Sequence, residues 1–126
     1  MPKPRILDLF AGCGGLSYGF ELAGFDVVAA NDLFPAAAET HRANHPHSRF
    51  FLGSITDPAI QDAIVAHLQS TGCDVVVGGP PCQAYSLAGK RDVDDGRGHL
   101  FEQYVEIVRR IRPKVFVMEN VKGILS

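Results

Sequence analysis

The sequence predicts an α/β domain: a doubly wound, mostly parallel sheet covered by helices. Two observations carry that prediction. Five short apolar runs recur along the chain, and four amphipathic segments alternate with them. Continuous apolar runs are what strands buried on both faces look like, and the helices between them supply the cover. At 126 residues with 46% hydrophobic content, one core is expected, burying roughly two thirds of the unfolded surface.

Strands are expected near 5–10, 26–30, 49–52, 73–78 and 114–119, and helices near 15–23, 36–44, 58–69 and 99–112. The first strand ends in Asp8-Leu9-Phe10 and runs through Ala11-Gly12-Cys13-Gly14-Gly15-Leu16 into a helix. The second ends at Asn31-Asp32-Leu33, ahead of a helix near Pro35. Asp57 before Pro58 marks the third helix as an N-cap followed by a first-turn proline. The fourth strand, Asp74-Val75-Val76-Val77, leads into Gly78-Gly79-Pro80-Pro81-Cys82-Gln83. Phe101, Tyr104, Val105 and Val108 give the last helix a buried stripe at i, i+3, i+4, i+7, and Pro113 stops it. The fifth strand, Val115-Phe116-Val117-Met118, delivers Glu119-Asn120-Val121.

Between Gly79 and about Gly98 the chain loses periodicity and carries Lys90, Arg91 and Arg97 among glycines and aspartates. A loop of about twenty residues inside a compact domain is usually a lid, a binding loop or a linker, and its position after Cys82 favours a lid.

Composition narrows the function classes. No stretch has the roughly 18 consecutive apolar residues of a membrane span, and no signal-peptide core follows Met1, so a soluble intracellular protein is expected. Cys13, Cys73 and Cys82 form neither a disulfide framework nor a zinc spacing, and reduced thiols are expected. The five histidines are read as solvated, and no metal site is expected. A formal net charge of −2 argues against binding nucleic acid through bulk charge, while leaving local basic clusters free to touch phosphate.

The chemistry is expected at the carboxyl ends of the strands, where doubly wound sheets bind ligands. The glycine turn lets backbone approach a ligand at a helix N-terminus. It is not a dinucleotide fingerprint, because Ser17 stands where G-x-G-x-x-G needs its last glycine. Asp32 lies about twenty residues beyond the turn, where ribose hydroxyls are commonly held, and helix N-capping is its alternative. The prolines before Cys82 suit a tight turn that displays the thiol, whereas Cys13 and Cys73 read as packing residues. Glu119 follows four apolar residues and is expected to be partly desolvated.

In order, DLFAGCGG at 8–15, GGPPCQAYSLAGK at 78–90 and RPKVFVMENVKG at 112–123 resemble the cytosine-C5 methyltransferase family. The resemblance spans nearly the whole chain. It implies the Rossmann-like fold of S-adenosylmethionine-dependent methyltransferases, here incomplete. It also implies a reaction in which the Cys82 thiolate adds to C6 of an extruded cytosine, Glu119 bonds to or protonates N3, and C5 attacks the methyl of S-adenosylmethionine.

The same resemblance assigns Phe10, Ala11, Gly12, Gly14, Gly15 and Leu16 to the methionine part of the cofactor, Asp32 to the ribose and Leu33 to the adenine. Gly53-Ser54-Ile55 matches a stretch that usually reads Gly-Asp-Ile, so Ser54 replaces a carboxylate beside Ile55, and Leu100 matches a further cofactor contact. The segment from Gln83 to Gly98, with Gln83, Ser86, Lys90 and Arg97, matches the loop that closes over DNA.

Members of the family continue past Glu119-Asn120-Val121 with an arginine-bearing catalytic motif, a target-recognition region and a returning helix. None of these lies in the 126 residues. A fragment, a truncated product or one half of a split enzyme completed by a second polypeptide is therefore expected, acting on double-stranded DNA in the bacterial cytoplasm as part of restriction-modification. The alternatives are a tRNA cytosine-C5 methyltransferase and a non-catalytic cofactor-binding or interaction subunit.

Overall fold

The computed structural model describes residues 2–80 and 96–119, with backbone alone for 96–99. Its elements run β1 (Arg5–Leu9), α1 (Gly15–Leu22), β2 (Asp26–Asp32), α2 (Pro35–Asn44), β3 (Arg49–Leu52), α3 (Pro58–Thr71), β4 (Val75–Gly78), α4 (Gly96–Ile111) and β5 (Val115–Met118). The sheet order is β3-β2-β1-β4-β5, and every pairing is parallel. The chain winds outward from β1 to β3, then returns to lay β4 on the other side of β1. That reversal opens a crevice at the carboxyl ends of β1 and β4, the place where open parallel sheets receive ligands.

Alternation along the strands sorts the helices onto two faces. Leu7, Leu9 and Val76 pack with Ile64, Val65 and Leu68 of α3 and Tyr104 and Ile107 of α4. On the opposite face, Ile6, Val75 and Val77 meet Phe20 and Phe25, while Ala30 and Phe50 meet Ala38 and Ala11. At the base of the sheet, an Asp74 oxygen accepts from the Arg5 amide at 2.9 Å, holding that carboxyl below its usual range.

All nine expected elements are present, and the differences lie at their edges. β2 runs on to Asp32 because Asn31 and Asp32 pair with Phe51 and Leu52 of β3. α4 begins at Gly96, inside the stretch read as loop, and residues 81–95 of the proposed lid lie outside the described residues. The buried stripe of α4 is also rotated from the expected one: Val105 is exposed, and the stripe runs Tyr104, Ile107, Val108, Ile111. Those residues keep the i, i+3, i+4, i+7 spacing shifted by three positions. The third helix starts as expected, with Asp57 accepting from the Ala59 amide at 2.9 Å and Pro58 in the first turn. Arg112 takes a positive φ of 55° after α4, and Pro113 follows.

Tyr104, common to both stripes, anchors the helix to the sheet. Its ring is fully buried, and its hydroxyl points at Val117 O, 2.8 Å away, and Val76 O, 3.3 Å away. It therefore spans β4 and β5 near the ends of both strands, and burial pushes its ionisation above the usual phenol range. Tyr104→Phe leaves that hydroxyl site empty and is expected to cost about 1–2 kcal/mol, read as a lower urea midpoint at unchanged slope.

β5 pairs only with β4 among the described residues, and Val115, Phe116 and Val117 are exposed. No helix among the described residues is long and apolar enough to cross a membrane.

Candidate functional site

The turn after β1 is built from unusual backbone. Phe10, Gly12 and Gly14 all have positive φ, at 56°, 57° and 98°. A non-glycine residue there is uncommon and strained, so the aromatic at position 10 is held by its surroundings, where it packs against the main core. Ala11 N donates to Asn31 O and Gly14 N donates to Ala11 O, both at 3.0 Å, closing the loop over β2. A Cβ added at Gly12 or Gly15 would meet nothing within 4 Å, so this backbone faces open space. Leu16 is partly exposed in the first turn of α1, and Cys13 is exposed, contrary to the packing role expected of it. The turn carries its cysteine outward because Gly14, not Cys13, occupies the buried position beneath.

Beneath the turn lies a buried polar chain that reading the sequence missed. Gly14 is the N-cap of α1 and offers no side chain, and the capping acceptor comes instead from β1. Asp8, 1% exposed, accepts from Ser17 Oγ at 2.5 Å and from the Ser17 amide. Ser17 Oγ in turn lies 3.1 Å from His41 Nε2. Ser17 has one hydroxyl proton, which goes to Asp8, so neutral His41 must present its Nε2–H to the remaining lone pair.

His41 stacks on His45 with ring centroids 4.5 Å apart, and Nδ1 of His45 lies 2.9 Å from Glu21 Oε1. Both imidazoles sit against Gly14, where an added Cβ would come within 2.9 Å of His41 Cδ2 and 3.0 Å of His45 Nε2. His41 and His45 are thus buried rather than solvated as expected, while His47 is exposed and lies 3.1 Å from the same Glu21 oxygen. The signal was present in the sequence: with Ala38 they form an i, i+3, i+7 row facing the sheet.

Burial dominates the electrostatics of this chain. It pushes the Asp8 carboxyl up to about 6, against the opposing pull of the Ser17 bonds. His45 also lowers it, and Asp32 raises it. Burial takes His41 down to about 4, helped by His45 and His47 and opposed by Glu21. Cys73 is half-buried against the main core, and burial raises its thiol to about 11. Among the described residues no group of three or more histidine, cysteine or acidic side chains is arranged to hold a metal ion.

Next to the turn, the carboxylate of Asp32 accepts from Gly12 N and from Leu33 N, each at 2.6 Å. The N-capping alternative is excluded: Phe34 is the N-cap of α2, and no side chain caps it. Leu33 is exposed, and beside it Phe34 presents an exposed ring that the sequence reading did not single out. Asn31, buried, donates to Phe51 O and Gly53 O, tying the end of β2 to the segment after β3. In that segment Ser54 Oγ shares a 2.7 Å hydrogen bond with Thr56 Oγ1 and accepts from Thr56 N. Ile55 is packed into the main core, and Leu100 lies partly buried against it.

Across the crevice, Glu119 N donates to Gly78 O at 3.0 Å, extending the β4–β5 ladder past Met118. The Glu119 carboxylate reaches back over Gly79, where a Cβ would strike Oε2. Glu119 is exposed, not partly buried as expected. Cys82, three residues beyond Gly79, lies outside the described residues, as do Gln83, Ser86 and Lys90. Arg97 falls in the first turn of α4. The structure therefore brings the glycine turn, Asp32, Leu33 and Glu119 to one edge of the sheet, and it sets Ile55 apart from them in the core.

Residues 4–126 match the family described as C-5 cytosine-specific DNA methylase. The chain is 46% identical over 125 residues to the type II methyltransferase M.XorII of Xanthomonas oryzae pv. oryzae, covering 98% of this chain and 30% of that protein. It is 42% identical over 126 residues to the type II methyltransferase M.AquIA of Picosynechococcus, covering 98% of this chain and 51% of that one. Among solved structures, it aligns with a TM-score of 0.81 and 33% identity to a protein described as a DNA modification methyltransferase encoded within an E. coli prophage, covering 98% of this chain and 34% of that one. It thus spans about a third to a half of the length of these relatives. Sequence family, relatives and sheet order agree: the chain belongs to the C-5 cytosine-specific DNA methylase family.

Proposed function

We propose that this chain is the cofactor-binding and catalytic part of a DNA cytosine-C5 methyltransferase, using S-adenosylmethionine as methyl donor. The observation that carries the reading is the Glu119 carboxylate lying over Gly79, on the strand that leads to Cys82, across the crevice from the Asp32-braced glycine turn. Acid, nucleophile and cofactor seat then come from the ends of β5, β4 and β1.

The residues suit the cofactor. The backbone is open at Gly12 and Gly15, and the first turn of α1 at Gly15 offers its N-terminus to a carboxylate. Asp32 is fixed by two amides and keeps acceptor capacity for ribose hydroxyls. Leu33 presents an apolar face for a base, and Ser54, occupied with Thr56, replaces a carboxylate with a weaker acceptor. When bound, the cofactor supplies the electrophilic methyl group.

The protein's own residues do the rest. Cys82 as thiolate forms a bond to C6 of cytosine, which makes C5 nucleophilic. Glu119 bonds at N3 and relieves the charge that builds on the ring. After C5 has taken the methyl, loss of its proton and expulsion of the thiolate restore aromaticity and the enzyme. Gln83, Ser86, Lys90 and Arg97 are assigned to the DNA side, which requires the base to be extruded from the duplex.

The exposed apolar β5 supports a further reading, that the region carrying target recognition packs beside it, as a later segment or a second polypeptide.

The test is covalent trapping on duplex DNA containing 5-fluorocytosine, with S-adenosylmethionine and a polypeptide completing the length of the relatives. Wild type is expected to form the adduct and Cys82→Ser none. Equal trapping by both would remove Cys82 as nucleophile, and trapping on tRNA alone would reassign the substrate.

A further inference from the structure

The methyl donor and the product it leaves differ by one charge. S-adenosylmethionine carries a sulfonium, whereas the thioether left after transfer, S-adenosylhomocysteine, has none. A fixed negative charge near the seat of the cofactor distinguishes the two, and a low-dielectric interior strengthens its effect. Among the described residues, Asp8 is the only fully buried carboxylate, and it sits directly under the glycine turn.

We propose that His41, Ser17 and Asp8 form a charge-holding chain that makes the Gly12–Gly15 turn prefer the cationic methyl donor over its neutral by-product. The inference rests on the reading of this turn as the donor's seat. The geometry gives each member a part. Asp8 accepts the Ser17 hydroxyl and amide, capping α1 from β1 and fixing the turn between them. His41 donates to Ser17 and so leaves the hydroxyl proton pointing at Asp8. His41 acts only through Ser17, which makes it a positioning residue.

The groups facing the chain set when its charge is present. Asp8 is faced by Ser17 of α1, His45 at the end of α2, Asp32 of β2 and Tyr104 of α4. His41 is faced by Ser17 and Glu21 of α1, His45 and His47. With the Asp8 carboxyl at about 6 and His41 at about 4, the first proton taken up in acid goes to Asp8 and removes the charge. Preference for the donor is therefore present at neutral pH and lost as pH falls through about 6. By linkage the donor must lower the ionisation midpoint of Asp8, and the by-product must leave it in place.

Titration calorimetry of the 126-residue chain with each compound, at about pH 7.5 and about pH 5, tests this. The ratio of donor to by-product affinity is expected to be about tenfold higher at the upper pH, the equivalent of one unit of linked shift. Asp8→Asn should hold the ratio at its acid value throughout. His41→Phe should lower it, and His41→Gln, which keeps an N–H donor, should restore it. Carbon NMR of the Asp8 carboxyl in the wild type supplies a reading that needs no variant to fold: its midpoint should fall with the donor and stay with the by-product. A ratio that is the same at both pH values, or a midpoint moved equally by both ligands, overturns the inference while leaving the turn as the cofactor seat. If the chain binds neither compound, the reading of the turn fails, and this inference with it.

Discussion

Gly79→Ala is expected to slow covalent trapping about a hundredfold, because displacing a catalytic group by about 1 Å costs on that order, while shifting unfolding by no more than about 0.5 kcal/mol. Gly78→Ala is expected to do the reverse of that pattern and cost about 2–3 kcal/mol of stability, the scale of overpacking in a filled core. The two residues are adjacent, yet an added methyl meets different neighbours. At Gly78 it runs into the carbonyl oxygen of Leu9, with Leu9 C 3.1 Å away and Cβ 3.2 Å away. Leu9 is fully buried and its backbone is paired in the middle of the sheet, so the clash is relieved only by moving β1 against β4. At Gly79 the methyl meets Glu119 Oε2, the far end of an exposed and flexible side chain. That carboxylate swings away at little cost to the fold, but away from the strand end where Cys82 follows. Urea unfolding and trapping kinetics on the same two proteins separate the outcomes. Wild-type trapping by Gly79→Ala would show that the position of Glu119 over Gly79 does not matter to the reaction.

The sequence exposed the fold because its signals are local. Apolar runs at 75–77 and 115–117, the Asp57-Pro58 cap and Pro113 act within a few residues, and the strands and helices lie where those signals put them. The glycine turn and Asp32 were legible for the same reason, since open backbone and an acid at a strand end have recognisable spacing. What remained hidden depends on contacts far apart in the chain. Ser17 was visible only as the residue that spoils a dinucleotide fingerprint, although it links Asp8 of β1 to His41 of α2. A histidine at a helix end reads as solvated until the sheet beneath it is known. In the last helix, two stripes with identical spacing share Tyr104 and Val108, and only packing on the sheet selects Ile107 and Ile111 over Phe101 and Val105.

Asp8→Asn is expected to make the protein more stable than the wild type at neutral pH, by about 3 kcal/mol, even as it removes the charge assigned to cofactor discrimination. The Asp8 carboxyl is raised from 3.8 to about 6 by burial. A group raised in the folded state contributes stability that is full below its unfolded value, and that contribution disappears as pH rises through the folded one. At neutral pH the wild type therefore holds an ionised carboxylate at a cost that asparagine avoids.

His41 has the opposite sign. Lowered from 6.5 to about 4, it contributes stability that is full above 6.5 and is lost as pH falls toward 4. In the wild type the two slopes oppose each other across nearly the same window, from about 4 to about 6. Removing either one exposes the other. Measured against wild type at each pH, Asp8→Asn should lose its advantage on acidification from about 6 to about 4, whereas His41→Gln should gain by about 3 kcal/mol over a similar interval. Urea unfolding at half-unit pH steps reads both curves, and parallel curves for all three proteins would show that Asp8 and His41 do not titrate in this window. A buried charge that destabilises the empty protein is stabilised only when something of opposite charge arrives, and the sulfonium of the methyl donor is such a ligand. The cost of keeping Asp8 ionised is then the counterpart of the selectivity proposed for it, and a variant that gains stability while losing discrimination would display both together.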